Sequence, residues 1–168
     1  VDEEVTEEEI RIMVDAGEIN TSEKEMINNI FEFDNIEVSD IMTHRTDVVA
    51  IDSRSSFNDI MDLVHEERYT RYPVYDDNID NIVGVIHLRD LLRYIKKNST
   101  SRFIINDLLR EPYFVPDSKR TDQLFKELQN HKTHMAIVID EYGGTAGIVT
   151  MEDLIEEIMG NILDEYDD

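Results

Sequence analysis

DEYGGTAGIVTMEDLIEEIMG, residues 140–160, decides how the rest of the chain is read. Two glycines predict a turn, the short apolar run TAGIVT predicts a strand, and an apolar helical pattern with four carboxylates follows. Thr150 and Asp153 stand at capping-box spacing ahead of that pattern, with Asp in place of the usual Glu or Gln. On this reading the junction only starts a helix. A second reading stays open beside it. A strand running into a helix start aims backbone N–H groups and the helix dipole at one spot. Gly147 allows another group to approach the strand closely. A Thr150 hydroxyl there can reach a phosphate, and an Asp153 carboxylate can accept hydrogen bonds from ribose hydroxyls.

Working outward, the same pattern occurs earlier. RYPVYDDNIDNIVGVIHLRDLL (71–92) parallels MAIVIDEYGGTAGIVTMEDLI (135–155). Val74 and Asp76 match Val138 and Asp140 at an offset of 64, while Gly84, Asp90 and Leu91 match Gly147, Asp153 and Leu154 at 63. His87 stands where Thr150 stands. Each copy reads as a short lead helix (38–42; 105–109), a strand (47–51; 113–115), a longer helix and two strands joined by an Asp-, Asn- or Gly-rich turn. A last helix closes it (88–95; 151–158). Ser56 and Thr121 are placed as N-caps of the longer helices. The expected fold is α/β, in the α+β sense: two pseudo-symmetric β-α-β-β-α repeats forming one globule. Residues 1–37 form a helical linker, 38–98 the first repeat, and 99–168 the second repeat with an acidic tail. In the linker, Thr6 with Glu9 and Ser22 with Glu25 have capping-box spacing, so two amphipathic helices are expected there.

The composition narrows the function. The 168 residues carry 16 Lys and Arg against 39 Asp and Glu, a net charge of −23. Such a surface repels phosphate backbones, so nucleic acid is excluded as a partner. With 40% hydrophobic residues the chain has the makings of a core. There is no Cys, hence no disulfide and no thiolate metal site. No stretch approaches the roughly 20 apolar residues that span a bilayer. The chain starts at Val1 without Met, which suggests a piece of something longer.

These motifs resemble the cystathionine-β-synthase (CBS) domain family, as a tandem pair. The matching pattern is a Gly, two apolar residues, Thr or Ser, two variable residues and an Asp. It stands here as Gly147-Ile-Val-Thr150-Met-Glu-Asp153 and, in degenerate form, as Gly84-Val-Ile-His87-Leu-Arg-Asp90. A narrower resemblance rests on TEEEIRIMVDAGEI, FEFDNIEVSDIMTHRTDVVAID, RYTRYPVYDDNIDNIVGVIHLRDLL and DEYGGTAGIVTMEDLIEEIMGNILDEYD. These look like the CBS region of the CorC/HlyC (hemolysin-like) family, related to cyclin-M proteins and linked to magnesium or cobalt efflux. The resemblance implies a regulatory module that binds AMP or ATP, with or without magnesium, and does no catalysis. It also implies a homodimer joined through the CBS helices and a transmembrane domain elsewhere in the parent chain. The module would lie on the cytoplasmic side of the membrane, the piece itself being soluble. By position, Thr150 would meet phosphate, Asp153 the ribose, and Glu152 would flank them. Arg71 would supply charge to the phosphates, the strand Tyr113-Phe114-Val115 would line the adenine, and Thr43 is a further candidate. All of these are expected in a cleft between the two repeats. His87 and Asp90 mark a weaker second site.

Other constellations carry less. His131, His134 and Glu127 lie close in sequence, but the segment reads as a turn before a strand, so no metal site is expected. Arg45 reads as one end of a surface salt bridge. No Ser-His-Asp arrangement, P-loop or GxGxxG fingerprint is present. A purely structural docking module with an empty pocket remains the alternative to a nucleotide-binding one.

Overall fold

The computed structural model describes residues 5–17, 20–97 and 102–160. In chain order the elements are α1 (Glu7–Ala16), α2 (Thr21–Phe33), α3 (Val38–Ile41), β1 (Thr43–His44), a 3-10 turn (Arg45–Asp47), β2 (Ile51–Asp52), α4 (Phe57–Glu67), β3 (Arg71–Tyr75), β4 (Ile82–His87) and α5 (Leu88–Lys97). There follow a second 3-10 turn (Ile105–Leu108), β5 (Phe114–Pro116), α6 (Thr121–His131), β6 (Met135–Ile139), β7 (Thr145–Thr150) and α7 (Met151–Met159). The architecture is mixed α/β, and the repeat layout fits it: β2-α4-β3-β4-α5 is echoed by β5-α6-β6-β7-α7. In each repeat the first strand pairs parallel to the second, β2 with β3 and β5 with β6. Backbone bonds repeat too. Ser53 N donates to Tyr75 O (2.8 Å) as Asp117 N does to Ile139 O (3.0 Å). Leu88 N donates to Thr70 O (2.8 Å) as Met151 N does to His134 O (2.8 Å).

The chain divides into two compact units that cut across the repeats: Val1–Ile41, Ser118–His134 and Thr150–Asp168 in one, Met42–Asp117 and Met135–Val149 in the other. The second unit holds the sheets, ordered β2-β3-β4 and β1-β7-β6-β5, with α4 and α5. Its larger cluster is Ile51, Ile60, Val64, Tyr72, Val74, Ile86, Leu91 and Ile105. Tyr72 and Val74 alternate along β3, and Ile60 and Val64 stand four apart on one face of α4. A smaller cluster is Ile82, Val85, Met135 and Ile137.

The first unit is helical. α7 packs against α2, α3 and α6. Phe33 meets Phe125 edge to face, with ring centroids 6.2 Å apart. The amide of Asn29 in α2 donates to the Ile158 carbonyl of α7 (3.1 Å). Thus α2 is part of this unit's packing. Leu128 and Leu154 are fully buried, and each such side chain contributes about 1.5–3 kcal/mol through burial.

Four local expectations are corrected. The strand expected at 47–51 is a 3-10 turn followed by extended chain, and only Ile51 belongs to a strand. Asp47 continues the turn begun at Arg45, so pairing waits until Ile51 reaches Val74. The lead helices are shorter than read: Val38–Ile41, and a 3-10 turn at Ile105–Leu108. Thr121 is not a cap. It is the first residue of α6, wholly buried, and its hydroxyl donates to the Phe33 carbonyl. α2 is capped by Asn20, whose side chain accepts from Glu23 N (2.8 Å), rather than by Ser22. Ser56 and Thr6 cap as expected, accepting from Asp59 N (3.1 Å) and Glu9 N (3.2 Å). The acidic tail lies outside the described residues.

Candidate functional site

In the helical unit the Thr150 junction forms the complete box. Thr150 Oγ1 accepts from Asp153 N (3.2 Å), and Asp153 Oδ2 accepts from Thr150 N (2.9 Å). Both bonds follow from the spacing: residues three apart at a helix start face each other's backbone. The box does not exhaust either side chain. A hydroxyl that accepts once keeps its own hydrogen to donate, and the carboxylate keeps Oδ1. Both residues are half-buried, and Glu152 beside them is exposed. Capping and ligand holding are therefore compatible at the same two residues.

In the sheet unit, Thr43 lies in β1 opposite Ile148, with His44 opposite Gly147. A Cβ at Gly147 would run into the Thr43 carbonyl. The group that Gly147 admits is thus the β1 backbone itself. The first repeat has the equivalent arrangement. Val85 and Arg110 exchange backbone bonds (3.0 and 2.9 Å), and a Cβ at Gly84 would lie 2.9 Å from Leu109 Cβ.

Arg71 and His87 face each other across β3 and β4. His87 is nearly buried, and its Nδ1 accepts from Arg89 N (2.9 Å) in the first turn of α5. His87 therefore does the cap's work through a ring nitrogen, which requires the neutral imidazole with its hydrogen on Nε2. Burial first, and then the neighbouring Arg71, Arg110 and Arg89, hold its pKa below the ordinary histidine value. Asp90 is taken up by Arg110, whose Nε and Nη2 reach its two oxygens at 2.8 and 3.2 Å. That fork, the larger cause, keeps the Asp90 carboxyl below its ordinary range, with Arg93 adding at 3.9 Å. At the weaker second site, then, the Asp90 carboxylate is paired with Arg110.

Of the adenine candidates, Tyr113 precedes β5 and accepts from Ile137 N through its carbonyl (2.7 Å). Phe114 is 48% exposed, whereas Val115 is 3% exposed and belongs to the core. β5 is the edge strand of its sheet. Arg45 pairs with Asp80, as expected of a salt bridge, and Asp80 also accepts from Thr145 N (3.0 Å). Glu127 binds Lys119 (2.6 Å). Among the described residues no three His, Asp or Glu side chains are grouped for a metal, and no helix is long and apolar enough to cross a membrane.

Sequence reasoning missed Arg110 and its surroundings. A cavity of about 580 Å³ in the sheet unit is lined by Asp90, Arg93, Tyr94, Lys97, Arg102 and Arg110, among others. The signal was present in composition: six of the 16 Lys and Arg fall between Arg89 and Arg110, with two acids.

A family profile described as CBS domain matches residues 38–97 and 105–160, one copy on each repeat. The chain belongs to the CBS-domain family. Within it, this CBS pair is of the CNNM/CorC type. A solved structure of the CBS domain of a bacterial CNNM/CorC family Mg2+ transporter in complex with ATP is 46% identical, with a TM-score of 0.78, over 82% of this chain and 97% of that one. A CBS-domain pair with bound AMP from Klebsiella pneumoniae is 30% identical, with a TM-score of 0.66, over 74% of this chain and 99% of that one. The magnesium and cobalt efflux protein CorC of Pasteurella multocida is 37% identical over 96% of this chain and 55% of its own length. The CBS pair spans from about a quarter to just over half of the curated relatives it matches.

Proposed function

We propose that this CBS pair is a regulatory, non-catalytic module that binds one adenine nucleotide, AMP or ATP, within a membrane-associated magnesium or cobalt transport protein. The observation that carries the reading is the Thr150–Asp153 box, which caps α7 while leaving a hydroxyl hydrogen and a carboxylate oxygen for a ligand. The ATP-bound relative at 46% identity supports the ligand class. In this reading Thr150 donates to phosphate, Asp153 accepts from ribose, and Glu152 flanks them. Arg71 supplies charge to phosphate, Tyr113, Phe114 and Val115 serve the base, and Thr43 contributes from β1. His87 and Asp90 already serve the start of α5 and Arg110, so one adenine-nucleotide site per chain, at Thr150 and Asp153, is proposed. Residues 1–37 act as the linker, with the repeats at 38–98 and 99–168. The module forms a homodimer and lies on the cytoplasmic side of its membrane.

Calorimetry with AMP and ATP on the wild type, Thr150→Ala and Asp153→Asn tests this. A lost cap costs about 0.5–2 kcal/mol of stability. A lost phosphate bond also lowers affinity by roughly tenfold or more. Asp153→Asn weakens AMP and ATP together, whereas Arg71→Ala weakens ATP more than adenosine. Lower melting temperatures with unchanged affinities would leave a structural docking module as the better reading.

A further inference from the structure

The cavity beside α5 in the sheet unit has a chemistry unlike the rest of the chain. Arg93, Lys97, Arg102 and Arg110 line it, against Asp90 and Asp107, in a protein of net charge −23. Its volume of about 580 Å³ falls in the range of small-molecule sites. Asp90 does not neutralise the cations evenly. It is spent on Arg110, which offers Nε and Nη2 and keeps three of its five N–H donors, and it fixes that guanidinium in place. Arg93 reaches Asp90 only at 3.9 Å and is largely exposed. Lys97 and Arg102 make no ion pair among the described residues. Its apolar lining is Tyr94, Ile104, Leu108 and Leu109, and Tyr94 in turn packs on Phe57 (5.1 Å) and Phe103 (5.2 Å).

We propose that this cavity is a second ligand site, which takes a di- or triphosphate group through Arg93, Lys97, Arg102 and Arg110. Two or more linked phosphates suit the site because several cations ring one opening, and guanidinium forks match phosphate oxygens. A ribose is not expected here, since the carboxylate that would receive it is held by Arg110. A polynucleotide or an anionic lipid surface is disfavoured by the charge of the whole chain. The site stands independently of Thr150 and Asp153.

Isothermal calorimetry with inorganic tripolyphosphate at fixed ionic strength tests it, on the wild type, the Lys97→Ala/Arg102→Ala double variant, Lys97→Arg and Asp153→Asn. Lys97 and Arg102 are not core residues, so the double variant is expected to keep its melting curve. The wild type and Asp153→Asn bind alike, the double variant loses about tenfold or more, and Lys97→Arg keeps binding. ATP competes with tripolyphosphate for this site in the Asp153→Asn background if a nucleotide tail is its source, and adenosine does not. Absence of tripolyphosphate binding, or binding lost in Asp153→Asn and retained in the double variant, overturns the proposal. AMP binding measured on the same wild-type sample separates its failure from failure of the nucleotide site.

Discussion

At the scale of single residues, His87 and Thr150 show one task done by two chemistries. Thr150 caps α7 with a hydroxyl at any ordinary pH. His87 caps α5 with Nδ1, which works only while the ring is neutral. Its pKa is depressed below 6.5, chiefly by burial, with Arg71, Arg110 and Arg89 adding and Asp90 opposing. A depressed folded-state pKa means that the unfolded chain binds the proton first. The stabilisation is whole above about pH 6.5 and is lost as pH falls through the lower folded value. The wild type is therefore expected to lose melting temperature between pH 7.5 and 5.5. His87→Asn keeps a capping side chain that does not titrate, and its loss over the same range is expected to be smaller. Equal losses in scanning calorimetry would show that the His87 ring does not carry the effect. The Thr150 box was legible because its two bonds depend on spacing alone. The Arg110 fork on Asp90 was not: the partners are 20 residues apart, and only the fold brings them together.

At the scale of elements, the two motif glycines explain the strand that sequence reading misplaced. A run such as Asp47-Val-Val-Ala-Ile51 looks like one strand by composition. In the fold the chain instead spends Thr43 and His44 on β7 and only later joins β3 at Ile51. The closing helices, expected at 88–95 and 151–158, by contrast end within two residues of those observed, because a 3.6-residue apolar period is hard to mistake. Pairing of β1 with β7 requires backbone to lie against backbone at Gly147. Gly147→Ala puts a methyl group into the Thr43 carbonyl, with Met42 Sδ 3.0 Å away. Overpacking of this kind costs about 1–3 kcal/mol. At Gly84 the same change meets the Leu109 side chain at 2.9–3.2 Å and the Arg110 carbonyl at 3.1 Å. These contacts are less severe than the overlap with the Thr43 carbonyl at Gly147. Chemical denaturation is therefore expected to rank Gly147→Ala as the more destabilising substitution, and a Gly84→Ala cost equal or greater would refute the rigid β1 contact.

At the scale of the whole molecule, exposed apolar surface and charge are the quantities left over after the core is built. On α5, Leu92 is 55% and Ile95 47% exposed; on α7, Ile155 is 44% exposed. Helix faces of this kind suit the proposed homodimer. Light scattering at micromolar concentration is expected to show more than 19.7 kDa, and Leu92→Lys is expected to lower that mass with little change in melting temperature. A wild-type species at the monomer mass would remove the dimer. The charge of −23 bears on the ligand instead. ATP approaches such a field carrying several negative charges, and at physiological salt the field reaches about 8 Å from the surface. Magnesium bound to the phosphates removes two of those charges before the encounter. AMP carries less charge and has less to gain. At constant ionic strength, adding magnesium is therefore expected to raise ATP affinity several-fold and to leave AMP nearly unchanged. Raising sodium chloride in place of magnesium is expected to narrow the gap between AMP and ATP, since screening acts on the same repulsion. ATP affinity indifferent to both magnesium and salt would mean that Arg71 and the other local donors outweigh the field of the chain at the site.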